Sequence, residues 1–351
     1  MNKIERNRPG QTNGKPKRVT ILQVAADAGV SFAAVSKVLR NAYGVSESLR
    51  ERVNASIKKL GYTPNTAARG LRGRSFVVGV VFPDMRNPFL ADIFAGISAG
   101  FERTPYQAVQ GIASQSNERD LTQAMIDMQM DGLILVSSSL APEQLTDLGS
   151  RIPAVAIGNR PLVETTFDTV NNNDEQSGRL VVQHLAKQGA ERIAMLSLEH
   201  PTAMRMRESG YRHEMEAQGL SAYINIARTE QTPRGIYGGM EKLLESRPQA
   251  LFCWCDAVAF EAISHARSNG LRVPEDLAIV GHDNTVYCAL DQNSLTSVDQ
   301  SGEQIGTHAA RLLVERFEGR IETEQILRSL GWLYVAAAPL TDERAHWLKP
   351  T

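Results

Sequence analysis

Residues 20–39 read TILQVAADAGVSFAAVSKVL. Ile21, Val24, Ala25 and Ala28 recur at a three-to-four spacing, which predicts a helix over Ile21–Ala28 capped by Thr20. Gly29 breaks the pattern and permits a tight turn. Val30 is placed to plug the gap between two helices. Ser31 caps a second helix, Phe32–Arg40, in which Val35, Val38 and Leu39 form the inward stripe. The result is a helix, a short turn and a helix. Ser46 caps a third helix, Glu47–Leu60, with Val53, Ile57 and Leu60 inward and Gly61 at its end.

A second helix of this kind suits a DNA major groove when its outer face carries short or hydrogen-bonding groups. Phe32, Ala33, Ser36, Lys37 and Arg40 are the candidates. The charge distribution agrees. Residues 1–74 hold 15 Lys or Arg against 4 Asp or Glu, whereas the remainder holds 23 against 35, so a basic head sits on an acidic body. Such a head is drawn to phosphate. Residues 1–18 read as a disordered basic arm and 19–64 as the helix-turn-helix domain. In 65–74, Asn65 caps a short helix with Ala67, Ala68 and Leu71 on its apolar face. A helix this short needs DNA or a partner chain to form.

Other classes are disfavoured. No apolar run follows the charges of the N-terminus, so no secretory signal is expected, and no stretch approaches a membrane span. Cys253 and Cys255 share a strand face, but no second pair accompanies them and no bound metal or cofactor is expected. The three cysteines do not suggest disulfides, and the expected compartment is a reducing cytoplasm. No phosphate-cradling Gly-rich loop, zinc motif or Gly-x-Ser-x-Gly elbow marks an enzyme.

From Ser75 onward apolar strands alternate with amphipathic helices. Strands are expected at 76–82, 108–113, 132–136, 154–157, 192–196, 250–254 and 277–280. Helices are expected at 90–103, 118–129, 175–188, 206–218, 235–246, 257–269 and 301–317. This predicts an α/β core of mostly parallel sheets covered on both faces. The core is assigned to 75–340, with a first lobe near 75–159, a second near 170–290, C-terminal crossovers and a tail at 341–351. The interruption at 159–170 is expected to carry the chain between lobes. Ligand-binding residues belong beyond the carboxyl ends of strands. Asp84, Asn87, Phe89, Ser137, Arg207, Trp254, Asp256 and Asp283 hold such positions.

These residues lie in a wider pattern. VTILQVAADAGVSFAAVSKVLRNAYGVSESLRERVNASIKKLGYTPNTAARGL in the head, and VVGVVFPDMRNPFLADIFAGI, DGLILV, RIAML, RESGY, RVPEDLAIVGHDN and SLTSVDQ in the body, resemble the lactose- and purine-repressor family of bacterial regulators. The resemblance spans nearly all of residues 19–340. It implies an N-terminal helix-turn-helix head and hinge helix joined to a two-lobed core like that of periplasmic sugar-binding proteins. By resemblance, Phe32 and Ala33 read operator bases, while Ser31, Ser36 and Asn41 contact backbone or bases nearby. Ala68 and Leu71 are the minor-groove pair, Leu71 being the wedge. Arg207 and Asp283 grip the effector.

The chain also departs from that pattern. Ala34, Lys37 and Arg40 stand where the family usually has Thr, Arg and Asn. Cys255-Asp256 replaces Asn-Asp, Asn173-Asp174 replaces an Asp-Asn pair, and His282-Asp283-Asn284 replaces aromatic-Asp-Asp. The tail DERAHWLKPT has no heptad repeat. The expected function is repression of transcription from a pseudopalindromic, double-stranded operator by a homodimer. A sugar bound between the lobes is expected to control it, with a nucleobase or other non-sugar corepressor as the alternative.

Overall fold

A computed structural model describes residues 19–39, 42–62, 74–158, 166–199, 202–323, 325–328 and 333–334. The chain forms two compact units, residues 1–73 and 74–351.

In the first unit, helices α1 (Ile21–Ala28), α2 (Phe32–Leu39) and α3 (Glu47–Leu60) follow the expected spacing. Thr20 caps α1 in a reciprocal capping box with Gln23. Gly29 closes the helix at φ 62°, and α1 and α2 then meet at 105°. Val24, Ala25, Val35, Val38 and Val53 form the core, with Val30 and Leu39 packed against it. The basic arm, Arg40, Asn41, the hinge residues Asn65, Ala68 and Leu71, and the 341–351 tail lie outside the described residues.

The second unit holds two six-stranded sheets. The strands of the first are β1 (Val77–Phe82), β2 (Gln107–Ile112), β3 (Gly132–Val136), β4 (Ala154–Ile157), β5 (Asp168–Asn172) and β11 (Gln325–Arg328). Their order is β11-β5-β4-β3-β1-β2, parallel throughout. The strands of the second are β6 (Ile193–Leu198), β7 (Asn225–Thr229), β8 (Ala250–Cys253), β9 (Ala278–Asp283), β10 (Thr296–Asp299) and β12 (Leu333–Tyr334). Their order is β12-β10-β9-β8-β6-β7, with only β12 antiparallel. Helices α4 (Pro88–Phe101), α5 (Glu118–Asp127) and α6 (Pro142–Arg151) connect strands of the first sheet. α7 (Asp174–Lys187), α8 (Thr202–Ala217), α9 (Pro233–Leu244) and α10 (Asp256–Ser268) serve the second, and α11 (Gly302–Phe317) returns to the first.

The boundary between lobes differs from the sequence expectation. β5 belongs to the first sheet, paired with β4, so the first crossing follows Asn172 rather than lying at 159–170. The second lobe correspondingly begins near 174, not 170, and runs past 290 to include β10. β5 is DTVNN, a buried strand made largely of polar residues, so it carries no apolar run to announce it. Asp168 is fully buried because Arg316 and Arg320 both pair with it, at 3.0 and 2.9 Å. α6 and β7 were also not anticipated.

α4 and α11 pack at backbone contact. A Cβ on Gly96 would stand 2.0 Å from the Glu303 carbonyl oxygen, and one on Gly306 would stand 2.1 Å from that of Ile93. The carboxyl ends of the two sheets contribute the residues of one cavity.

Candidate functional site

The cavity measures about 270 Å³. From the first lobe it takes Asp84 and Asn87 after β1, Phe89 on α4, Ser137 after β3, and Asn172 at the end of β5. From the second it takes Asp174 and Arg207, Trp254 after β8, and Asp283 at the end of β9. Gln300 joins from the segment between β10 and α11. Seven of the eight residues expected from sequence therefore line one space. Phe89 and Trp254 supply aromatic carbon to its wall.

Arg207 is not at a helix start, as its position in the sequence suggested, but in the second turn of α8. It is 6% exposed. Its Nε donates to Asp174 Oδ1 at 2.7 Å and its Nη1 to the Trp254 carbonyl at 2.7 Å. A buried guanidinium needs such partners. These two contacts orient the guanidinium at the cavity wall. Asp174, at the first position of α7, is the residue the sequence reading undervalued; the departure from Asp-Asn obscured it.

Asp283 accepts from Asn87 Nδ2 on Oδ2 at 2.8 Å, and from Gln300 Nε2 on Oδ1. Its backbone sits at φ 118°, a conformation that costs a non-glycine residue on the order of 1–3 kcal/mol. The pairing of β9 with β10 runs to Asp283 itself and holds it there. Burial pushes the Asp283 carboxyl above the usual carboxylate range, opposed by the nearby Arg207 charge and by the amide donors. His282 behind it is fully buried, with Nε2 3.1 Å from Ser177 Oγ and Nδ1 3.2 Å from Asp283 Oδ1. Burial, reinforced by Arg207, pushes its pKa well down and keeps it neutral.

Asp256 is a correction. It does not line the cavity. Its Oδ2 accepts from Thr285 N at 2.7 Å and Cys288 Sγ at 3.0 Å, and its Oδ1 from Ser297 Oγ at 2.5 Å. It is a buried structural carboxylate that ties α10 to the loop after β9. Asp84 lines the cavity but also pairs with exposed Arg86 at 3.0 Å. Asn172 and Gln300, joined at 2.5 Å, were missed because they lie 128 residues apart.

In the head, Thr20 and Ser31 are occupied as helix caps, Ser31 Oγ accepting from Ala34 N at 3.2 Å. Phe32, Ala33 and Lys37 are exposed along α2, and Ser36 is half-buried. Among the described residues no group of three or more His, Cys, Asp or Glu is placed to hold a metal ion. Among them, too, no single helix is long and apolar enough to cross a membrane.

Comparison with known proteins agrees with both units. Residues 20–65 match the family described as bacterial regulatory proteins, lacI family, and residues 182–332 match the periplasmic binding protein-like domain. Catabolite control protein A of Priestia megaterium is 34% identical over 308 residues, covering 85% of this chain and 92% of that protein. The HTH-type transcriptional repressor CytR of Escherichia coli (strain K12) is 30% identical over 308 residues, covering 86% and 90%. The structure of the transcriptional regulator CelR in complex with cellobiose is 29% identical, with a TM-score of 0.67 over 91% of this chain and 99% of that one. The lac repressor dimer bound to operator, at 22% identity and a TM-score of 0.77 over 92% and 100%, shares the fold. A helix-turn-helix head, a two-lobed effector-binding body and this similarity over most of the length lead to one assignment: the chain belongs to the lacI family of bacterial regulatory proteins, and is a DNA-binding transcriptional regulator of the repressor type.

Proposed function

We propose that the chain represses transcription as a homodimer on a pseudopalindromic operator, and that a neutral sugar bound in the cleft sets its operator affinity. The observation that carries the sugar reading is the cavity wall itself. Arg207 offers a donor edge and Asp283 an acceptor carboxylate, with Phe89 and Trp254 as apolar faces. Adjacent hydroxyls match such a pair, and a ligand lacking them leaves buried polar groups unpaired. The CelR complex with cellobiose supports a carbohydrate in a related regulator. A ligand touching both lobes changes their closure, and coupling of about 1–3 kcal/mol shifts operator affinity roughly 5–150-fold.

On the DNA side, Phe32, Ala33, Ser36, Lys37, Arg40 and Asn41 are proposed to face the major groove. Asn65, Ala68 and Leu71 are proposed for the minor groove, where Leu71 unstacks a base step. Dimerisation is proposed through the edge of the first sheet, where Val109 and Ile112 on β2 are exposed, together with exposed Val286, Tyr287 and Leu290 in the second lobe. The test is calorimetry of the full chain against sugars, sugar phosphates, nucleobases and nucleosides, paired with gel shifts on operator DNA. A sugar that binds and changes the shift supports the reading. Tight binding of a purine with no response to any sugar overturns it.

A further inference from the structure

The two lobes touch directly at Asp283. Asn87 belongs to the first lobe, at the cap of α4, and its side chain is pinned at both ends. Its Oδ1 accepts from Phe89 N at 3.1 Å, so its amide nitrogen faces away from the helix. That nitrogen donates to Asp283 Oδ2 in the second lobe at 2.8 Å. The other carboxylate oxygen accepts from Gln300, whose Oε1 accepts from Asn172 Nδ2 at the end of β5. Both oxygens of Asp283 are therefore engaged by amides, and both routes lead back to the first lobe. All four residues line the proposed effector cavity.

We propose that Asn87 is an internal competitor of the effector: its amide latches the lobes by occupying Asp283, and the effector binds by replacing it. The group that replaces an amide N–H on a carboxylate must itself be a donor. The effector therefore presents an O–H or N–H at Asp283, and an ionised phosphate or carboxylate cannot take that place. The statement about the effector rests on the cleft function proposed above; the latch between lobes does not.

The test uses the full chain and the variant Asn87→Ser. Serine keeps an oxygen acceptor for the helix cap but is too short to span to Asp283. Trp254, 3% exposed in the cavity wall, reports opening. Replacing the chain's other two tryptophans (Trp332→Phe, Trp347→Phe) isolates its signal. Losing a hydrogen bond to a charged acceptor shifts an opening equilibrium by about tenfold or more. Without added ligand, acrylamide quenching of Trp254 should therefore rise several-fold in Asn87→Ser, with unchanged far-UV circular dichroism. Equal quenching in both proteins overturns the latch.

Calorimetry with cellobiose, D-ribose and sulfate, an anion with no O–H or N–H to give, tests the rest. Cellobiose or ribose that binds the parent should bind Asn87→Ser roughly 3–10-fold more tightly, because the competitor is gone. Equal or weaker binding overturns the competitor. Sulfate binding the parent in preference to both sugars overturns the donor requirement. Should neither sugar nor sulfate bind the parent, the quenching result still decides the latch.

Discussion

Arg207 Nε meets Asp174 Oδ1 at 2.7 Å, and the two side chains are 8% and 4% exposed. They form an ion pair that water scarcely reaches. Deleting one partner strands a buried charge, which costs about 3–5 kcal/mol in comparable pairs. Asp174→Ala should therefore lower the unfolding free energy measured by urea titration by an amount in that range. Asp174→Asn, which keeps an oxygen facing Nε, should cost less. A loss below about 1 kcal/mol in Asp174→Ala would mean that the pair is solvated in solution.

The glycines between α4 and α11 predict a steric result. At Gly96 and Gly306 an added methyl meets backbone carbonyl oxygens, which have no rotamer by which to yield. Gly96→Ala or Gly306→Ala should destabilise the body by about 1–3 kcal/mol or more, as overpacked cores do. Gly238→Ala, on a helix with nothing within 4 Å, is the control and should be neutral or slightly stabilising. Denaturant melts of the three variants provide the comparison.

His282 gives a pH dependence with a definite sign. Its folded pKa lies well below the ordinary 6.5, because burial and Arg207 disfavour the imidazolium. Below pH 6.5 the unfolded chain takes up a proton that the folded chain refuses, so this residue withdraws stability as pH falls, by up to about 1.4 kcal/mol per unit. Above 6.5 its contribution is level. His282→Gln keeps polar atoms toward Ser177 and Asp283 but cannot titrate. Its stability should fall less steeply than the parent's between pH 6.5 and 5. Parallel curves would exclude a neutral, buried His282. Asp283, shifted upward by burial, acts in the opposite sense and remains in both proteins.

Lys37 is exposed on the outer face of α2. If it contacts phosphate, Lys37→Ala should weaken binding to every DNA sequence similarly and reduce the slope of log affinity against log salt by about one per contact. A twofold dimer doubles that to about two. Fluorescence anisotropy at four salt concentrations measures it. An unchanged slope with altered sequence preference would assign Lys37 to base edges.

The head was legible because its signals are local: Thr20 and Ser31 as caps, Gly29 as the break and the spacing of Val24, Val35 and Val53 all act within a few turns. Much of the cleft was legible as well, since Asn87, Phe89, Ser137 and Asp283 lie close to strand ends. What escaped depends on distance or direction. β5 hid because its polar side chains find partners 128 to 152 residues away in Gln300, Arg316 and Arg320. Asp256 follows a strand just as Asp283 ends one, but its carboxylate turns inward to Ser297 and Thr285. Position along the chain does not encode that turn; the donors of Thr285, Cys288 and Ser297 do.

The backbone contact between α4 and α11 gives the body a beam. At one end Gly302 lies against the Phe89 ring, beside the cavity. Fifteen residues later, roughly 22 Å along the axis, α11 ends at Phe317. There the Phe317 carbonyl accepts from Arg74, and its ring stacks on Tyr106 at 4.4 Å. Helices locked at Gly96 and Gly306 have no side-chain layer in which to absorb a small tilt. The expectation is that a displacement imposed at Phe89 travels along α11 to Arg74, the first described residue of the body, over a distance set by the length of one helix.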